Sequence, residues 1–236
     1  MANMYGPRIT TQDLIFNMDF ANTKCYPGTG NSCFDLGPNN LVGELGVANL
    51  FKPTYTTLVN NKYFVFNGSN TLIRIPNSTE LDTNAVSVEV WIKTDNTNQS
   101  GFWFEKGTVN TQYSLFQHNN SIYWRHRLSS GTLSDLITNA ITTAGLNSVD
   151  WFQVTGTYVS GSRKLYVNGV LKNSDSTTGN IDVNTGGMSI GAYGGYDGSR
   201  SYYYDGNLAV VRVYKRSLEA YEVMNNFNAL QKRFGL

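Results

Sequence analysis

Between residues 86 and 92 apolar and polar positions alternate without a break. Val86, Val88, Val90 and Ile92 are separated by Ser87, Glu89 and Trp91. A period of two puts the four aliphatic side chains on one face of a β-strand, so this stretch predicts a strand with one face in a core. Phe152, Val154 and Thr155-Gly156-Thr157-Tyr158 predict a second strand, rich in β-branched and aromatic residues. Ser160-Gly161-Ser162 then turns the chain, Leu165-Tyr166-Val167 begins a third strand, and Asn168-Gly169 marks a two-residue hairpin because both residues tolerate positive φ. Three strands joined by two tight turns form an antiparallel meander, which excludes a parallel α/β sheet locally.

Shorter runs at residues 14–20, 63–66, 72–76, 102–107, 113–117, 121–127, 188–193 and 208–214 read as further strands. Residues 21–40, dense in Gly, Pro, Asn and Asp, read as loop. After Ser217, a candidate cap, the spacing of Ala220, Val223, Met224, Phe227 and Leu230 predicts one amphipathic helix against the edge of the sheets. Strands recurring every 8 to 12 residues or so with turn signals between them describe an all-β, two-sheet sandwich. No linker or repeat interrupts the pattern, so residues 1–236 are expected to form a single domain with its core at about 14–230.

Composition agrees with sheets: of the 236 residues 13% are aromatic and only 15% charged. The net charge is +1 and the basic residues are scattered, which argues against nucleic acid or an anionic membrane as a partner. No apolar run approaches the roughly 20 residues of a membrane span, and no secretory signal is visible. Cys25 and Cys33 fit no metal spacing and are as compatible with thiols as with a short-loop disulfide.

Signals for catalysis are weak. Glu89 stands alone between valines and reads as a solvated or hydrogen-bonded strand residue, Glu105 is followed by Lys106, and His118 and His126 belong to no metal or nucleophile spacing and suit surface or stacking roles. Trp103 and Trp124 could line an open sheet face, but core packing is the commoner fate of tryptophan. The loop from 193 to 206 is different. Tyr193, Tyr196, Asp197, Arg200, Tyr202 and Tyr204 combine flat amphipathic rings, which stack on sugar C–H faces, with groups that bond hydroxyls. The same residues would suit a protein–protein contact, or a loop that buries its own rings.

The string LYVNGV at 165–170 and the segment Gly206 to Val223, with VRVYKRSL within it, resemble the laminin-G-like, concanavalin A-like domains over nearly the whole chain. That resemblance implies an antiparallel jelly roll. It also implies calcium held by a first-strand carboxylate, here Asp19, and by acidic residues of the closing strand, where this chain carries Ala209 and Val210. Asp205 and Asp197 in the tyrosine loop are the candidate substitute ligands. Jelly-roll glycosidases of this kind carry two carboxylates two or four residues apart on one strand, and no such pair occurs here, so a non-enzymatic protein is expected. The ending NFNA…RFGL at 225–236 resembles laminin-G-like domains of viral structural proteins, particularly of tailed phages. The resemblance implies a virion surface protein, a capsid decoration or tail-associated adhesion module, whose partners are glycans or host-surface polysaccharide, other virion proteins or further copies of itself. The competing readings are a purely structural assembly protein and a secreted carbohydrate-binding accessory module.

Overall fold

In the computed structural model, residues 7–48, 50–59, 61–107, 111–138, 150–196 and 199–236 are described. The chain forms β1 (Leu14–Asp19), β2 (Ser32–Phe34), β3 (Val42–Leu45), β4 (Thr54–Thr57), β5 (Lys62–Asn67), β6 (Ile73–Ile75), β7 (Val86–Thr94) and β8 (Ser100–Gly107). It continues through β9 (Thr111–His118), β10 (Ser121–Arg127), β11 (Leu133–Thr138), β12 (Phe152–Val159), β13 (Ser162–Val167), β14 (Val170–Asp175), β15 (Met188–Ile190) and β16 (Asp205–Tyr214). Helix α1 (Ala220–Leu230) and a 3-10 turn (Gln231–Phe234) close it.

Two antiparallel sheets of eight strands face each other in a jelly-roll sandwich. The first runs β14-β13-β12-β7-β16-β5-β4, with β1 also on β16; the second runs β11-β10-β9-β8-β15-β6-β3-β2. The meander β12–β13–β14 turns at Asn168 and Gly169 with φ of 50° and 75°. The inward faces share one core in which Val86, Val88, Val90 and Ile92 meet Trp103, Phe104 and Trp124 from the opposite sheet. Both tryptophans are therefore core residues. His126, on the inward face of β10, is fully buried with its ring centroid 4.0 Å from that of Tyr158.

Three expectations change. A strand, β2, crosses the stretch read as loop; with three residues at a sheet edge it is too short to show a period. The helix is capped by Glu219 rather than Ser217, with Glu222 reaching back to the Glu219 N–H at 2.9 Å in a capping box. The helix also lies on the outward face of the first sheet, not at its edge. Phe227 and Phe234 stack on Trp91, with ring centroids 5.8 and 4.3 Å away. Asn226 donates to Glu89 at 2.7 Å, and Arg212 donates to the other oxygen of the same carboxylate at 2.7 Å. Glu89 is thus hydrogen-bonded but wholly buried.

Cys25 and Cys33 are unpaired and buried, and burial pushes the Cys25 thiol up to about 12. The C-terminal segment has a direct consequence for where a ligand can bind. It covers the outward face of the first sheet and leaves that of the second open.

Candidate functional site

Alternation on β10 sends Ile122, Trp124 and His126 inward and Tyr123, Arg125 and Arg127 outward. On β9 the outward set includes Ser114, Phe116 and His118, and on β8 a bulge between Phe102 and Phe104 leaves Phe102 outward. Register aligns Phe102, Phe116 and Tyr123 across three neighbouring strands. Their rings stack as a ladder: Phe102 on Phe116 at 4.3 Å and 4°, Phe116 on Tyr123 at 4.9 Å and 20°. The Arg125 guanidinium lies 4.7 Å from the Phe116 ring centre.

The tyrosine loop completes the site. After β15 the chain pairs with itself, Tyr193 bridging Ser201, and the Phe102 N–H donates to the carbonyl of Tyr202 at 3.1 Å. This brings Tyr193 and Tyr202 beside Phe102, with centroids 5.1 and 6.2 Å from it. Together with Ser100, His118, Arg125 and Arg127, these rings bound a cleft of about 430 Å³, a size usual for small-ligand sites. Tyr202 is 55% exposed and holds φ at 49°, a left-handed conformation that is costly for a bulky residue and recurs at functional sites.

The expected constellation divides. Tyr193 and Tyr202 line the cleft. Tyr196 turns the other way, under the Arg74 guanidinium at 4.7 Å, and Arg200 donates to its carbonyl at 2.6 Å. Tyr204 is a correction: it is fully buried between Phe66 and Trp103 and donates to the carbonyl of Lys93 at 2.9 Å, so it offers no surface to a ligand. Asp197 lies outside the described residues. Phe102, Phe116, Tyr123, Arg125 and Arg127 were not singled out from the sequence. For Tyr123, Arg125 and Arg127 the apolar–basic alternation of 121–127 is the local signal, and the partners of that strand are not legible in it.

The calcium pair does not converge. Both Asp19 oxygens accept from Arg233, at 2.7 and 2.9 Å. Asp19 pairs with Val210, whereas Asp205 opens the same strand five residues earlier, about 16 Å away at the usual rise. Among the described residues no three His, Cys, Asp or Glu side chains gather around one point. These carboxylates do not fit a shared ion.

Glu105 sits beneath the loop, fully buried. Thr111 donates to one oxygen at 2.7 Å; the N–H groups of Gly194 and Gly195 donate to the other, that of Gly195 at 3.2 Å. Glycine is required at 195, where φ is 56° and a Cβ would stand 1.6 Å from the carbonyl of Gly107. Burial pushes the Glu105 carboxyl up to about 7 from 4.5, against the opposing pull of its donors and of Arg125. The fold therefore holds this proton more tightly than the unfolded chain does, and a penalty grows as pH rises from 4.5 to 7, reaching about 3 kcal/mol. In Glu105→Gln the amide oxygen can still accept from the glycines while the NH2 donates to Thr111. The variant should match wild type near pH 4.5 in urea unfolding and exceed it by up to about 3 kcal/mol at pH 8. A difference that does not change with pH would exclude Glu105 as the titrating group.

Hydrolysis of a glycosidic bond requires two carboxyl groups roughly 5 to 9.5 Å apart. Glu105 and Asp135 share one rung through Ser114 and Arg125, three strand spacings or about 14 Å apart, and Asp135 is held by Arg125. The arrangement suits binding: the accessible rings of Tyr123, Tyr193 and Tyr202 stand beside hydrogen-bonding groups at the rim.

The binding domain of Paraclostridial Mosquitocidal Protein 1 has the same fold, with a TM-score of 0.70 and 18% identity over 92% of this chain and 52% of that one. The botulinum neurotoxin serotype D ligand binding domain in complex with N-acetylneuraminic acid gives 0.68 and 18% over 91% and 50%. The binding domain of botulinum neurotoxin DC in complex with rat synaptotagmin II gives 0.69 and 14% over 93% and 52%. The chain spans about half the length of each, and at these identities the likeness is one of fold. No curated protein sequence matches the chain. The family model described as the concanavalin A-like lectin/glucanases superfamily matches residues 67–224, which include β7 to β10, the tyrosine loop and the closing strand. The chain belongs to the concanavalin A-like lectin/glucanases superfamily.

Proposed function

We propose that the chain is a non-enzymatic carbohydrate-binding module that takes a glycan in the cleft on the open face of the second sheet. The observation that carries this reading is the cleft in which the part-exposed rings of Tyr123 and Tyr193 and the exposed ring of Tyr202 stand around the buried Phe102–Phe116 pair, edged by arginine, histidine and serine. Sugars present flat C–H faces to such rings, and the rim supplies hydroxyl partners. The structures of similar fold, solved with a sialic acid in one case and a protein receptor in another, support a domain that engages ligands on a host surface. Its place on a virion surface, as capsid decoration or tail-associated adhesion module, rests on the likeness of residues 225–236 to viral laminin-G-like domains.

A glycan array with wild type, Tyr123→Ala and Tyr202→Ala tests the proposal. Wild type should bind at least one saccharide, and each variant should lose about tenfold in affinity while keeping its unfolding transition. Tyr202 is exposed, so its loss should leave the core untouched. Wild-type binding that both variants retain would move the site elsewhere. No saccharide binding at all would return the chain to the class of assembly proteins.

A further inference from the structure

The charge inside the cleft is not balanced. Arg125 and Arg127 line it, and among the described residues no carboxylate does. Two residues apart on β10, they stand about 7 Å from each other on one face. They are not equivalent. Asp135 grips Arg125 with both oxygens, at 2.7 Å each, which neutralises it. Arg127 donates one hydrogen bond, to the carbonyl of Gly131 at 2.9 Å, and its Nε is buried without an acceptor. Among the described residues it forms no ion pair. Glu105, a carboxylate under this face, is turned into the amides of Gly194 and Gly195 and sealed off by the loop.

A half-desolvated guanidinium with an orphan N–H is stabilised when an anion reaches it, and its planar fork matches carboxylate and sulfate oxygens. With a net charge of only +1, any preference for anions must come from this local imbalance and not from a long-range field. Tyr123 and Arg127 are separated by four residues of the same strand, about 13 Å, with Arg125 between them. One sugar ring cannot reach both.

We infer that the cleft selects an acidic oligosaccharide, one ring stacking on Tyr123 while the carboxylate or sulfate of an adjoining ring docks on Arg127. The inference rests on the carbohydrate-binding reading above and narrows it to a class of glycan.

Titration calorimetry with four probes tests it: an oligogalacturonate, its methyl ester, a sulfated galactan oligosaccharide and the same galactan desulfated. One anionic probe should bind at least about tenfold more tightly than its neutral counterpart, and more weakly as salt is raised. The oligogalacturonate and the sulfated galactan distinguish carboxylate from sulfate as the preferred anion. Arg127→Gln should remove the preference for the anionic probe; Arg127→Lys, which keeps the charge, should restore part of it. Equal binding of neutral and acidic probes, lost in Tyr123→Ala, would overturn the acidic class and leave carbohydrate binding standing. An anion preference that Arg127→Gln does not alter would overturn the role of Arg127. Binding of none of these probes, nor of any array glycan, would overturn both readings.

Discussion

Trp124→Ala is expected to destabilise the protein by about 3 to 5 kcal/mol in denaturant unfolding, the range for truncating a large aromatic in a packed core. Trp124 is fully buried on the inward face of β10 and donates from its indole N–H to the carbonyl of Thr157 at 3.1 Å, so its removal leaves both a cavity and an unpaired acceptor. Its partner is a missing side chain. Gly156, on β12 of the opposite sheet, lies under the indole, and a Cβ there would stand 2.5 Å from the ring. Gly156→Ala alone should therefore cost about 1 to 3 kcal/mol by overpacking. In the double variant the new methyl enters the space the indole vacates. The combined cost should then fall short of the sum by about 1 kcal/mol or more. Strict additivity would mean that the two residues do not share the space the structure gives them.

The second large effect is acid sensitivity from His126. Its ring is buried, and among the described residues neither nitrogen meets a partner. Burial, reinforced by the Arg163 guanidinium and opposed by Asp175 and Asp135, pushes its value down to about 3 from 6.5. As pH falls below 6.5 the unfolded chain takes up this proton and the fold does not, so stability is lost between pH 6.5 and about 3. The full loss is about 5 kcal/mol, of which about 3 kcal/mol is gone by pH 4.5. His126→Phe keeps a planar ring against Tyr158 and cannot titrate. Measured at pH 7 and 4.5, the wild type should lose about 3 kcal/mol more than the variant. Parallel losses would exclude His126 as the source.

The site was partly visible before the fold was known. Tyr193 and Tyr202 stand out by composition, because a tyrosine- and glycine-rich loop is unusual in any sheet protein. Tyr204 carried the same signal and has the opposite fate. The chain reverses at Ser201 and enters β16 at Asp205, which turns this ring into the space between Phe66 and Trp103. Composition cannot register such a reversal. Phe102 and Phe116 were hidden for a related reason: each looks like any core phenylalanine. Only the bulge in β8 and the β8–β9–β10 register put them on the outward face in line with Tyr123.

Local rules were enough for most of the strands and for the antiparallel sense of the meander, because alternation and turn chemistry act over a few residues. The run from Val86 to Ile92, the Asn168-Gly169 hairpin and the amphipathic spacing after Ser217 specify an antiparallel sandwich with one terminal helix whatever lies around them. Which outward face stays open was decided by tertiary structure alone. Trp91 and Glu89 look like surface positions in an alternating strand, yet Phe227, Phe234 and Asn226, more than a hundred residues later, cover them. The same long-range packing sets Arg233 on Asp19 and, among the described residues, pairs Arg125 but not Arg127 with a carboxylate. Burial and charge pairing are contacts between distant segments, and no period in the chain encodes them.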